Sequence, residues 1–172
     1  FSNNLVSDIN ADLINLYHQI KSDGDAFIEY AQQFFTPELN VDTEFYKIRE
    51  QFNTTSDQRL KSALFIYLNR HCFNGLCRYN KKGLFNTPFG RYKKPAFPEL
   101  EIRNFETQAQ HTTFLHQDFR DTMKSAVPGD VIYCDPPYVP LSATSNFTDY
   151  ATGGFNLDDQ RDLAQLALAC RD

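Results

Sequence analysis

Val131-Ile132-Tyr133-Cys134-Asp135-Pro136-Pro137-Tyr138 is the stretch on which the fold turns. Its first four residues form a wholly apolar run of the kind that makes a central strand of a parallel sheet. The run ends at a carboxylate, then two prolines, then an aromatic ring. A residue before proline is pushed out of helical geometry, so Asp135 cannot begin a helix. Two successive prolines fix the backbone and leave carbonyls without competing amide donors nearby. The sequence therefore predicts a stiff loop at the carboxyl end of a strand, where open α/β sheets bind ligands.

Outward from this stretch the pattern stays α/β. Phe114-Leu115-His116 reads as another strand, and Asp118 to Ala126 as a short helix between the two. Asn156 can cap a final helix, with Asp158 and Asp159 favourable in its first turn. Leu5-Val6-Ser7-Asp8 reads as a short buried strand with Asp8 at its tip. Between the strands lies a mostly helical stretch. Ile9 to Ile20 carries apolar residues at helical spacing, and Phe27 to Phe35 and Phe45 to Phe52 read as two more helices, broken at Thr36-Pro37. Thr55-Ser56-Asp57 offers caps for a helix through Leu68. From Phe73 to Pro98, Gly and Pro alternate with aromatics and cations, which predicts a structured loop or small hairpin with a turn at Lys81-Lys82-Gly83.

Composition fits a folded chain. Of 172 residues 41% are hydrophobic, and 16 Phe and 9 Tyr with no Trp imply a core built largely of rings. The net charge is −5, which on its own argues against a nucleic-acid partner, but the charges are segregated. Cys72 to Pro95 contains no acidic residue, whereas Arg78, Lys81, Lys82, Arg91, Lys93 and Lys94 are all basic. That is the pattern of a local phosphate-facing patch, or of a solvated lysine-rich loop. Four cysteines without a CxxC pair, and no stretch resembling a secretory leader, suggest reduced thiols in a cytoplasmic protein. His111 and His116 have no neighbours at metal-ligand spacing, so no metal is expected. No apolar run approaches the ~18 residues of a membrane span.

The Asp135-Pro136-Pro137-Tyr138 loop suits an aromatic exocyclic amine, whose lone pair is delocalised into its ring. Asp135 can accept one N–H and the Pro136 carbonyl the other, drawing the nitrogen toward a nucleophilic, tetrahedral form. Tyr138 offers a stacking face. A base inside a duplex is out of reach of such a loop and has to be flipped out. A turn with a capping Asp is the plainer alternative for the same residues.

The motif resembles the catalytic motif of amino-methyltransferases that use S-adenosylmethionine. Further segments are similar to DNA adenine methyltransferases of the Dam type, in the D12 class, which methylate adenine N6 in GATC. These are Leu68-Asn69-Arg70, Phe73-Asn74-Gly75-Leu76-Cys77-Arg78-Tyr79-Asn80, Phe85-Asn86, and Pro88-Phe89-Gly90-Arg91-Tyr92-Lys93-Lys94-Pro95, which together look like the family's target-recognition region. Pro140-Leu141-Ser142-Ala143-Thr144 and Asn146-Phe147 resemble its loop beside the flipped base, where Ser142 would meet DNA.

The resemblance implies a Rossmann-like S-adenosylmethionine-dependent core, residues 1–10 and 112–172, with a mostly helical insertion, residues 11–111, holding the basic loop 73–98. It implies that Asp8 binds the cofactor ribose, that Asp118 accepts from the cofactor adenine amine, and that Phe119 packs on its ring. Asp135 belongs to both the catalytic and the cofactor sets, with Pro136, Pro137 and Tyr138 completing the catalytic one.

On the DNA side, Arg78 would read guanine through its fork and Phe73 would enter the stack near the vacated adenine. Asn74 and Leu76 would make neighbouring contacts, and Pro88 would touch a thymine methyl. Asn80, Arg91, Lys93 and Lys94 would meet phosphates. Double-stranded DNA is the expected partner, and a monomeric, bacterial or phage-encoded, nucleoid-associated enzyme the expected form. No metal is implied, because a sulfonium already activates its methyl group.

The family's Gly-rich cofactor loop would precede Phe1, and further strands would follow Asp172, so the chain by itself is expected to be inactive. Three alternatives remain open at this point: cytosine-N4 methylation, methylation of RNA or of a protein release factor, and a DNA-binding module without catalysis.

Overall fold

A computed structural model describes residues 3–137 and 155–170. Asn4–Asp8 (β1) and Thr112–His116 (β2) pair in parallel, with Asn4 opposite Thr112 and Asp8 opposite His116. The two carboxyl ends are thus level. Six α-helices accompany the described sheet: α1 Ala11–Gln32, α2 Asp42–Thr54, α3 Gln58–His71, α4 Glu99–Ala109, α5 Phe119–Lys124 and α6 Leu157–Ala169.

The helix starts follow capping chemistry. Asn10 accepts from the Asp12 and Leu13 amides, and Asp57 from those of Arg59 and Leu60, so each satisfies two donors that a first turn leaves orphaned. Asn156 and Asp159 form a reciprocal capping box on α6. The two helices expected at 9–20 and 27–35 are one element, α1, interrupted only at Asp23, whose backbone leaves helical geometry (φ −161°, ψ 61°). Gly24 follows, with the Glu106 carboxylate lying over it. Helix α4 was not anticipated. Its start is marked by Pro98 without a side-chain cap, and it follows a segment dense in Pro and Gly.

The main core is aromatic, as the composition suggests. Phe27, Phe45, Phe52, Tyr67 and Phe85 are all essentially inaccessible. Each such ring contributes roughly 1.5–3 kcal/mol of burial. His71 joins them, stacked on Tyr67 with ring centroids 3.9 Å apart, and its Nδ1 lies 2.8 Å from the Tyr67 carbonyl. Burial pushes the His71 pKa down to about 4, so the ring is neutral at pH 7. A smaller cluster of Ile14, Ala109 and Phe114, with Tyr17 and Phe105 against it, fastens α1 and α4 to β2.

One expectation fails. Residues 131–134 do not form a strand: the segment pairs with neither β1 nor β2, and Val131 is 72% and Tyr133 88% exposed. An apolar run predicts a buried strand only if a ladder partner and covering layer are in place, and the described residues supply neither to this segment. The described sheet therefore has two strands, and the expected Rossmann-like core is visible only as the parallel β1–β2 pair with its helices.

Candidate active site and nucleic-acid interface

The tips of β1 and β2 open onto a cavity of about 720 Å³. Asp8, Asp118, Phe119, Asp135, Pro136 and Pro137 all line it. Sequence separations of more than a hundred residues are thereby closed into one site, whose size lies within the usual 300–1,000 Å³ of small-molecule pockets. Asp8 is held by a turn of its own making: its Oδ1 accepts the Asn10 amide at 2.6 Å, which leaves Oδ2 for a ligand. The Gln117 amide donates to the Asp8 carbonyl, tying the two strand tips together ahead of Asp118.

Asp118 caps α5 through the Arg120 amide, 2.8 Å from its Oδ1. Arg120 lies among three carboxylates, those of Asp118, Asp159 and Asp162, with its guanidinium carbon 4.5 Å from the centre of the Phe119 ring. The hydrogen bond from Arg120 and that from the Asn156 amide hold the Asp159 carboxyl below the usual carboxylate range, while Asp159 and Asp162 raise the Arg120 pKa further. These residues fit an adenosine: a strand-tip carboxylate for a diol, and an acceptor and a ring face for a purine. Among the described residues no group of three or more His, Cys, Asp or Glu side chains converges as a metal-ligand set. The His116 Nε2 instead lies 3.0 Å from the Ile9 carbonyl.

The basic segment folds as a two-part platform beside α3. Tyr79 and Phe85 bridge antiparallel, and Asn80 to Gly83 make the expected turn, Gly83 with φ +73°. Cys72 and Phe89 bridge a second time, at a point where a Cβ on Gly90 would lie 2.6 Å from the Cys72 carbonyl oxygen. Phe73, 51% exposed, and Asn74, in left-handed geometry (φ 53°), stand on the turn between. Asn tolerates that geometry better than most residues. The Asn74 amide donates to the Tyr92 hydroxyl, and Arg91, itself at φ 56°, points Tyr92 back toward it. Arg78 is exposed, and its Nε donates to Asn86 Oδ1 at 2.9 Å. That contact fixes the guanidinium plane and leaves both terminal nitrogens for another acceptor. Leu76 is partly buried, its carbonyl taken by the hydroxyl of the buried Thr87.

Pro88, Lys93 and Lys94 are exposed on the same segment, and Arg91 makes only a long 3.8 Å pair with Asp42. Asn80 differs from expectation in detail: its Oδ1 accepts the Lys82 and Leu84 amides, so the side chain is committed to the turn and only its NH2 can face outward. Tyr138 and Ser142 lie outside the described residues, as does the rest of the expected 140–147 loop. Sequence reasoning placed Asn86 in the target-recognition region without giving its side chain a role, and missed Arg120. Asn86's role had a signal, its position across the hairpin from Arg78; Arg120 had only its place after Asp118-Phe119, because two of its three carboxylates lie about 40 residues downstream.

A family profile described as D12 class N6 adenine-specific DNA methyltransferase matches residues 1–171. The chain belongs to that family. This D12-class chain is similar to the DNA adenine methylase of Serratia marcescens, 53% identical over 163 residues, which cover 95% of this chain and 60% of that protein. It is 52% identical to the DNA adenine methylase of Vibrio cholerae and 48% to that of Escherichia coli K12, each over 167 residues, 97% of this chain and 60% of the relative. The D12-class chain thus spans about 60% of the length of these curated relatives.

Proposed function

We propose that the protein carrying this chain transfers the methyl group of S-adenosylmethionine to N6 of an adenine flipped out of duplex DNA, within GATC. The observation that carries this reading is the meeting of Asp8, Asp118, Phe119, Asp135, Pro136 and Pro137 in one cavity at the strand tips, with the exposed Arg78 platform on the same chain. When bound, S-adenosylmethionine supplies a methyl group already activated by its sulfonium. Asp8 takes the ribose hydroxyls, Asp118 the adenine amine, and Phe119 the purine face. Asp135 accepts one N–H of the target adenine and receives the proton its nitrogen sheds, while the Pro136 carbonyl holds the other N–H. Tyr138 stacks on the flipped base, and Ser142 meets the DNA beside it.

Arg78 reads guanine, with Phe73, Asn74, Leu76 and Pro88 against the neighbouring bases. Arg91, Lys93 and Lys94 meet phosphates, and Asn80 does so only through its NH2 group. Residues 1–10 and 112–172 make up the catalytic core, and 11–111 the recognition insertion. One chain supplies both cavity and platform, which supports a monomer.

Methyl transfer to a GATC duplex, measured with the 172-residue chain and with the complete polypeptide that carries it, tests the reading. Activity is expected from the complete polypeptide and not from the shorter chain. Asp135→Ala should lower the rate by about 10²–10³-fold, the scale of losing a polar contact that acts in the transition state. An undiminished rate in that variant would sink the mechanism. Salt-sensitive DNA binding without any methylation would favour the DNA-binding module instead.

A further inference from the structure

We propose that Arg120 is the positioning residue of the cofactor's adenine pocket, fixing Asp118 and Phe119 so that they select an amine-bearing purine. The proposal rests on the cofactor roles given above to Asp118 and Phe119. Arg120 lines the same cavity as both. Its Nε donates to Asp162 Oδ2 at 2.8 Å, one terminal nitrogen meets Asp159 Oδ1 at 2.5 Å, and the other lies 3.4 and 3.3 Å from the two oxygens of Asp118. With all three nitrogens engaged, the guanidinium plane is fixed, and the same group lies against the Phe119 ring. Phe155 closes on that ring from another side, with centroids 6.1 Å apart.

The consequence for Asp118 is specific. Its Oδ1 accepts the Arg120 amide at 2.8 Å, while the guanidinium straddles the carboxylate, 3.4 Å from Oδ1 and 3.3 Å from Oδ2. The backbone amide thus spends Oδ1, and the guanidinium holds the carboxylate plane in place so that Oδ2 keeps a lone pair as an acceptor for a ligand. Such an acceptor welcomes the N–H of adenine and repels the carbonyl oxygen of hypoxanthine. Two of the carboxylates holding Arg120, Asp159 and Asp162, belong to α6, so that helix bears on Asp118 and Phe119 through Arg120. A Lys here would keep the charge but could neither fork nor stack as a plane.

The test compares S-adenosylhomocysteine with S-inosylhomocysteine, which replaces the adenine amine by an oxygen. Both are titrated calorimetrically into the complete polypeptide as wild type, Arg120→Ala, Arg120→Lys and Asp162→Asn. The wild type should prefer the adenosyl ligand by about tenfold or more, the scale of one charge-assisted hydrogen bond. Arg120→Ala should bring the ratio to within about threefold, Arg120→Lys should fall between, and Asp162→Asn should keep most of it because Asp159 remains. A purely structural Arg120 would weaken both ligands alike and leave the ratio at its wild-type value; that result overturns the proposal. If Arg120→Ala fails to fold, the Arg120→Lys ratio decides the matter. A wild type that binds both ligands equally would remove the Asp118 reading and the proposal with it. One that binds neither would remove the cofactor reading itself.

Discussion

Two side chains carry most of what can be tested residue by residue. Arg78 is oriented by Asn86, so its two terminal nitrogens form a ready fork for the O6 and N7 acceptors of guanine. Arg78→Ala in the complete protein should cost about 1–3 kcal/mol of discrimination at one base pair. Asn86→Ala should cost less at the same position, and competition between GATC and single-mismatch duplexes measures both. Uniform weakening across all sequences would make Arg78 a phosphate contact.

His71 carries the second prediction. Its ordinary pKa of about 6.5 falls to about 4 on burial, so the unfolded chain takes up a proton that the folded chain refuses. The native state is therefore at full strength above pH 6.5 and weakens as pH falls through the window down to 4, by up to about 3 kcal/mol from this group. Denaturant unfolding at pH 7 and pH 4.5 should reveal the loss, and His71→Gln should flatten that part of the profile.

At the scale of elements, Asp12 at the start of α1 ties that helix to the hairpin by a hydrogen bond and to α3 by an ion pair. The buried Tyr79 donates its hydroxyl to Asp12 Oδ2 at 2.8 Å, and Lys61 sits 3.1 Å from Oδ1 of the same carboxylate. Asp12 stands in the first turn of α1, four residues from Asp8, and burial and Asp12 together raise the Tyr79 pKa. Tyr79→Phe leaves Asp12 short of a donor and should cost about 1–3 kcal/mol of stability. Thermal unfolding checks this, and no change in midpoint would mean that water replaces the hydroxyl.

These elements also show what a single sequence can carry. Helices α2, α3 and α6 were legible because capping and 3.6-residue spacing are local properties. Strands β1 and β2 were legible as short apolar runs ending at polar tips, but β1 is not buried as expected: Leu5 and Val6 are exposed among the described residues. Residues 131–134 look as apolar as either strand, but strand status depends on a partner distant in the chain. Helix α4 was hidden by the prolines before it and by the lack of a capping side chain.

Across the whole molecule, a net charge of −5 coexists with exposed cations gathered on one segment. Binding to duplex DNA should therefore be strongly salt-dependent despite the acidic total. Replacing Lys93 and Lys94 together by Gln should lower the slope of log K against log salt by about two, with GATC preference retained. A slope unchanged by the double replacement would return those lysines to the solvent. Asp8 and Asp135-Pro136-Pro137 could be singled out because each lies in a short motif of adjacent residues, and all of them line the cavity. The Arg120 cluster could not, since its members meet only after α5 and α6 pack.

The cysteines form an uneven set. Cys72 is buried with its pKa pushed up to about 12, and burial raises that of Cys77 as well, while Cys134 and Cys170 are exposed. A maleimide dye offered to the native protein would thus find Cys134, one residue from Asp135. With Cys170 changed to Ser, the chain has a natural attachment point for an optical reporter of what enters the cavity beside Asp135.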